Sequence, residues 1–323
     1  MEKLLIIGTL PKNSGIGGVT IHISRLLKLL DEKNIGYLFV DYRIESIFTI
    51  LRLILKSHIV HLHATNSLFK FLCALCCRIF RKKIVITFHG NIGSYKNINR
   101  LLNLLTIRII SVPVFINANS MEIGKKKNKN SKLFSAFIPP SDMDILDDEI
   151  LNLVYELKKR YKFLFSANAY NYVLNENGNE IYGITFLLSI FKEFQTEYAL
   201  LISDPSGGYK AHFLAKNIFL PPNVKLISHP HSFYQLLKYV DVFLRPTSTD
   251  GDSLSVKEAL FLGKPVVCSD VVDRPLGTIV YHEGSEADFK RQITRSLSLK
   301  HKNCIQFQNG GEQLIELYKS LGI

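Results

Sequence analysis

Asp241-Val242-Phe243-Leu244-Arg245-Pro246-Thr247-Ser248-Thr249-Asp250-Gly251-Asp252-Ser253-Leu254-Ser255-Val256-Lys257-Glu258-Ala259-Leu260 is the stretch that decides the fold. Val242–Arg245 is a short apolar run of strand type, and Pro246 stops it because proline cannot donate to a sheet ladder. A polar loop containing Gly251 follows, and a helix is predicted from near Ser253. Gly263-Lys264-Pro265-Val266-Val267 then opens another strand. Strand, loop, helix and strand in this order make a βαβ unit of a parallel sheet. Ligands of such sheets bind at the carboxyl ends of the strands, where this loop lies. Glu258 stands eight residues after Asp250. That is just over two helical turns, so the two carboxylates can address opposite ends of one extended ligand. The N–H groups of Ser253, Leu254 and Ser255 point out of the helix start and suit a diphosphate. The same residues also fit an ordinary helix start, with Asp252 or Ser253 as cap and Glu258 as surface charge.

The alternation extends outward in both directions. Strands are predicted at Lys3–Ile7, Tyr37–Asp41, Ile59–His63, Ile84–Phe88 and Val114–Asn117, with helical stretches such as Val19–Leu30 and Leu68–Phe80 between them. The pattern pauses at Phe137–Asp142, passes a helix at Asp147–Arg160, and restarts at Lys162–Ser166, Ala199–Ser203, Val224–Ile227, Val242–Arg245 and Pro265–Cys268. The fold class is therefore α/β, with two doubly wound Rossmann-like halves and a cleft expected between them. The halves are read as 1–140 and 141–305, followed by a C-terminal helix over 306–323 that can pack back on the first half.

Composition narrows the partners. The 323 residues carry 40 Lys+Arg and 28 Asp+Glu, a net charge of +12. Residues 1–140 hold 21 basic and 6 acidic residues, so the first half carries +15 and the second −3. A basic half suggests an anionic partner: an acidic membrane surface, a phosphate-bearing substrate or nucleic acid. Nucleic acid is disfavoured because no recognisable binding motif accompanies the charge. Five cysteines, three of them at Cys73, Cys76 and Cys77, do not form a disulfide framework and fit a reducing compartment. No signal peptide or spanning segment is read: the apolar runs Ile47–Leu55 and Leu101–Phe115 are broken by Arg52, Arg108 and Pro113. A cytoplasmic protein lying against the inner face of the cell membrane is the expectation, with Lys125–Lys129 and the cations after Leu68–Phe80 as docking charges.

Other residues carry weaker signals. Asn13–Val19, with Gly15, Gly17 and Gly18, joins a strand to a helix and suits a phosphate or sugar. It is not the dinucleotide fingerprint, since Thr20 stands where a third glycine belongs. Asp41 ends the second strand as a ribose-binding acid would. His89 ends a strand where it can meet a sugar hydroxyl or phosphate. His61 and His63 share one strand face but lack a nearby carboxylate, which makes a poor metal site. The three clustered cysteines read as packing.

Taken together these residues resemble the family 4 retaining glycosyltransferases of GT-B fold. The resemblance covers nearly the whole chain: Gly17-Gly18-Val19 with His22 and Arg25, Thr87-Phe88-His89-Gly90, the linker Phe137–Asp142, and Asp250–Glu258 as the Glu-x7-Glu signature with Asp in first place. The run from Arg245 to Leu260, with Ser269-Asp270-Val271-Val272 and Arg274-Pro275 after it, is similar to a sub-group from bacterial surface-polysaccharide (capsule or O-antigen) clusters. The resemblance implies roles. Glu258 would hold the ribose hydroxyls of the nucleotide and Asp250 those of the donor sugar. The amides of Gly251, Asp252, Ser253, Leu254 and Ser255 would face sugar and diphosphate, with Gly17 and Gly18 beside the diphosphate. His89 would contact the transferred sugar. It further implies a UDP- or GDP-linked sugar as substrate, no other cofactor, no metal, a glycan or lipid-linked glycan acceptor, and retention by front-face attack.

One departure stands out. The family's Arg-x4-Lys-Gly diphosphate clamp follows the first strand of the second domain, but here Asn168 and Ile181-Tyr182-Gly183 occupy those places. A leaving diphosphate without cations is poorly stabilised. Arg245, Arg274 or Lys257 is expected to substitute. Two other readings follow: a nicotinamide-dependent Rossmann enzyme using the glycine loop and Asp41, or a degenerate transferase homologue serving as a binding subunit.

Overall fold

The computed structural model describes residues 4–11, 17–140, 145–298 and 304–323. Asn13–Ile16 of the glycine loop and Ser141–Asp142 of the linker lie outside the described residues. The chain divides into two units, Met1–Pro139 with Gln308–Ile323, and Pro140–Phe307.

The first unit is built on β1 (Leu4–Gly8), β2 (Tyr37–Asp41), β3 (Ile59–Leu62), β4 (Lys83–Phe88), β5 (Val112–Phe115) and β6 (Lys132–Leu133), all parallel, in the order β2-β1-β3-β4-β5-β6. Both faces are covered. Alternate residues of β1 therefore enter different cores, and the run reads as continuous apolar sequence. Leu4 and Ile6 meet helix α1 (Gly18–Glu32) and the C-terminal helix Gly310–Leu321 through Ile23, Leu26, Leu314 and Tyr318. Leu5 and Ile7 share the opposite core with α2 (Ile47–Lys56), α3 (Ser67–Ile79) and α4 (Asn97–Ile109). Ile23, Leu26, Leu27 and Leu30 of α1 are buried at the i, i+3, i+4, i+7 spacing of one helix face.

Strand β5 starts and stops two residues before its expected place. Asn117 leaves the strand to cap α5 (Ala118–Lys125), its side chain accepting from Ser120 N. Cys73 and Cys77 are buried with free thiols, as packing residues. Leu68, Leu72 and Ile79 on the outer face of α3 are instead more than half exposed, so this is not a core helix. No helix among the described residues is long and apolar enough to cross a membrane.

The second unit repeats the scheme with β7 (Phe163–Asn168), β8 (Tyr198–Ser203), β9 (Val224–Ile227), β10 (Val242–Arg245), β11 (Val266–Ser269) and β12 (Ile279–Tyr281), in the order β12-β11-β10-β7-β8-β9. One face packs α6 (Asp148–Arg160), α9 (Phe233–Leu237) and α10 (Leu254–Phe261). The other packs α7 (Ile184–Glu193), α8 (Gly208–Ala215) and α11 (Glu286–Ser298). The chain runs outward from β7 through β8 and β9, then returns to place β10 on the other side of β7. That reversal leaves a crevice between β7 and β10 where ligands of doubly wound sheets bind. In the first unit the reversal falls between β1 and β3.

Candidate functional site

In the second unit the deciding stretch folds at the reversal point. Arg245 ends β10 and Asn168 ends β7, and the guanidinium Nη1 donates to Asn168 O at 3.3 Å and to its Oδ1 at 3.2 Å. Arg245 also grips Asp250, with Nε 3.1 Å from Oδ2 and Nη2 2.9 Å from Oδ1. Arg274 approaches the same carboxylate from beyond β11, its Nη1 2.8 Å from Oδ2. The other donors of Arg274 reach Ser269 O, Ser269 Oγ and Thr247 Oγ1. The side chains of Arg245, Arg274 and Asp250 are 11%, 3% and 7% exposed. Burial alone would raise the Asp250 carboxyl, but the two guanidiniums outweigh it and hold its pKa at about 2. Two guanidiniums thus share one carboxylate at the reversal point.

This arrangement fixes the partners of both arginines. Asp250 accepts from both arginines, from Gly251 N at 3.0 Å and from Thr247 Oγ1 at 3.4 Å. A carboxylate offers about four lone-pair directions, and these donors engage both of its oxygens. Asp250 thus braces the two arginines. Arg274, its side chain 3% exposed, is held in place by Asp250, Thr247 and Ser269. Arg245 pairs with Asp250, not with Asp241 or Asp252. Asp241 accepts from Leu164 N, and Asp252 pairs with Lys257 Nζ at 2.5 Å.

Helix α10 begins at Ser253, whose side chain makes no capping bond to the helix. Its Oγ instead lies 3.2 Å from Ser255 Oγ, and Ser255 Oγ donates to Asn168 Oδ1 at 3.2 Å. The helix start thus lacks the usual side-chain acceptor for its first N–H groups, which leaves a place for an anion. Glu258 is 3% exposed, so it is not a surface charge. Gly251 has open space where a Cβ would stand. Gly183, at the family's Lys-Gly position, has φ +63° and opposes Pro246 O so closely that a Cβ would lie 2.2 Å from it.

In the first unit Gly17 caps α1, its N–H donating to Thr20 Oγ1 at 3.1 Å, and Gly18 has open space around it. Asp41 is 6% exposed and its carboxylate accepts from Leu10 N and Arg43 N, which ties the strand end to its own loops. His89 follows β4 and lies beside His63, with His89 Nε2 3.0 Å from His63 Nδ1. His22 of α1 completes the group: its ring centre is 5.1 Å from that of His89 and 5.4 Å from that of His63. His61, next on the same face, joins Tyr318 Oη at 2.5 Å and Thr87 Oγ1 at 2.8 Å. Burial, with mutual repulsion, keeps all four imidazoles neutral, bringing His22 to about 4 and His61 to about 3 and pushing His63 and His89 well down.

Strand alternation pairs His61 with His63 in the sequence but does not bring His22 or His89 to them. Their convergence follows from the order β1-β3-β4, which puts the α1 start and the ends of β3 and β4 side by side. Asn168, Thr247 and Ser269 were likewise missed as partners. The signal for them is their position at the carboxyl ends of β7, β10 and β11.

No protein-family model matches the sequence, and no curated protein matches it significantly. Solved structures do. HepE from Anabaena, in complex with UDP-glucose, superposes with a TM-score of 0.70 over 98% of this chain and 99% of its own, at 13% identity. The UDP-GlcNAc 2-epimerase of Methanocaldococcus jannaschii gives 0.63 over 99% and 100%, at 13% identity. The lipopolysaccharide outer core galactosyltransferase WaaB, in its apo form, gives 0.53 over 93% and 91%, at 15% identity. This likeness shows the fold: two Rossmann-like units of GT-B type.

Proposed function

We propose that the chain is a glycosyltransferase that moves a sugar from a nucleotide-sugar donor, UDP-linked, to a glycan acceptor of bacterial surface-polysaccharide synthesis. The observation that carries this reading is the build of the β10–α10 turn. It places a buried carboxylate, Glu258, on a helix whose start lacks a side-chain cap, after a loop whose Asp250 is held by two guanidiniums. Glu258 takes the ribose hydroxyls. The N–H groups at Ser253, Leu254 and Ser255 meet the diphosphate, and Arg245 supplies the cation that the absent clamp would have given. Charge develops on the leaving diphosphate in the transition state, so donors fixed in advance, such as Arg245 held by Asp250 and Asn168, act without reorganising. In the first unit His89 follows β4 as a neutral imidazole, and Gly18 has open space at the start of α1. Transfer proceeds with retention by front-face attack. The fold shared with structures that hold UDP or UDP-glucose supports this choice of donor.

The acceptor is lipid-linked, and the first unit docks on an anionic membrane. Residues 46–121 contain ten Lys and Arg and no Asp or Glu. Helices α2, α3 and α4, which cover one face of the sheet, expose Phe48, Leu72, Ile79 and Leu101 on their outer sides. Apolar side chains among cations without acids suit the headgroup region of anionic lipid. The nicotinamide reading has less support, because Thr20 stands where the third glycine of the dinucleotide fingerprint belongs. Incubation with a panel of UDP-, GDP- and dTDP-sugars, scored for nucleotide release, tests the donor. Release from a UDP-sugar supports the reading. Calorimetric UDP binding without release from any donor would favour the non-enzymatic binding subunit.

A further inference from the structure

We infer that His22, His63 and His89 form a binding site for one divalent transition-metal ion of the zinc class, with an open position for an oxygen ligand. Among the described residues these three are the grouping whose ligand atoms approach closely enough, all lying within 4.8 Å of one another. Imidazole nitrogens about 2.0–2.1 Å from a tetrahedral ion lie roughly 3.4 Å apart, so modest ring rotations close the site. His63 Nδ1 and His89 Nε2, 3.0 Å apart, form a hydrogen bond that ion binding through His89 Nε2 replaces.

Two independent features point to a ligand. His22 Nε2 and His63 Nε2 have no hydrogen-bond partner, although their residues are only 3% and 1% exposed. Buried polar atoms are nearly always satisfied, and two orphans in one cluster mark a missing partner. His22 is also fixed as a metal-binding histidine is fixed: Nδ1 lies 2.9 Å from Ala136 O and must donate to it, which leaves a lone pair on Nε2. The inner carbonyl thereby sets the tautomer and the ring direction together.

The chemistry selects the ion. Three neutral imidazoles without a carboxylate suit zinc, copper or nickel and not magnesium or calcium, which need oxygen. Three protein ligands leave a fourth position for water or a substrate oxygen, the pattern of catalytic rather than structural zinc. The group stands at the β1/β3 reversal point of its own sheet, and His89 is only partly buried, which gives the ion a way in. In the transferase reading the fourth position would take a sugar hydroxyl, so His89 would meet the sugar through the ion. The site itself rests on geometry and does not depend on that reading.

The test uses Co2+ and Zn2+ with the full chain and no nucleotide. Wild-type protein, freed of metal by chelation, is titrated with Co2+ and followed by visible absorption. The expected result is a four-coordinate d–d band saturating at about one ion per chain and displaced by Zn2+. His22→Ala and His89→Ala should each lose the band, with cobalt affinity falling more than the ~10–100-fold typical of losing an outer-shell partner. His282→Ala, at a histidine outside the cluster, should keep it. Far-UV circular dichroism of each variant separates lost binding from lost fold, and His89→Ala serves if the buried His22 variant does not fold. A wild-type chain with no band, or a band unchanged in His22→Ala and His89→Ala, would overturn the site. A parallel UDP titration reports on the transferase reading separately.

Discussion

Replacing Asp250 with Asn isolates the brace. The substitution keeps the size of the side chain and removes its charge, leaving Arg245 and Arg274 as two buried cations facing one neutral amide. A lower bound on the cost comes from the carboxyl pKa, held at about 2 against an ordinary 3.8. At 1.36 kcal/mol per unit that difference is worth about 2 kcal/mol. A folded-state pKa below the unfolded one stabilises the fold above pH 3.8, and the gain fades as pH falls towards 2. An upper figure is the ~3–5 kcal/mol for breaking a buried ion pair by removing one partner. Urea unfolding at pH 7 should therefore show Asp250→Asn destabilised by about 2–5 kcal/mol with an unchanged slope. Adding Arg274→Met should recover part of the loss, because the second cation no longer needs a counter-charge. If Asp250→Asn unfolds within about 0.5 kcal/mol of wild type and only donor binding suffers, the carboxylate is a ligand group and the brace is wrong.

Three further outcomes follow from the same geometry. Gly183→Ala should cost more than the ~1–2 kcal/mol of a left-handed backbone alone, because its Cβ meets the backbone oxygen of Pro246. Gly251→Ala, with open space around it, should shift the melting temperature little, and equal losses in the two variants would contradict this contrast. The buried histidines make the first unit acid-labile. Their folded pKa values lie below the unfolded 6.5, so the unfolded chain takes up protons first and stability falls as pH drops from about 6.5 towards 4. His22 alone is worth roughly 3 kcal/mol over that range, and a melting temperature flat from pH 7 to pH 4 would refute it. Vesicle co-sedimentation should require anionic lipid and weaken with salt, while binding to neutral vesicles alone would exclude the charge argument.

The alternation of short apolar runs and amphipathic helices made both sheets legible, since strands buried on two faces carry their signature locally. Two of the four edge strands escaped: Lys132–Leu133 is only two residues long, and Ile279–Tyr281 only three. The α10 start was legible because the Pro246 stop and the polar loop before Leu254 are local signals. The partners of Arg245 were not. They come from β7, from beyond β11 and from the loop, and only the sheet order brings them together. Geometry gives Arg245 to Asp250, the residue for which the resemblance implies a donor-sugar contact. The histidines show the same limit. Residues 22, 63 and 89 are scattered in sequence and meet because adjacent parallel strands end at one edge.

The central claim is that the second unit holds a nucleoside diphosphate through Glu258 and the α10 start. Calorimetric titration of UDP into wild type and Glu258→Ala tests it most directly. Wild type should bind UDP, and the variant should bind more weakly by about 1–3 kcal/mol, roughly 5- to 150-fold, because two ribose hydroxyls lose their acceptor. Circular dichroism should show the variant folded. Equal UDP affinity in both folded proteins, or tighter binding of NAD than of UDP to the wild type, would contradict the account.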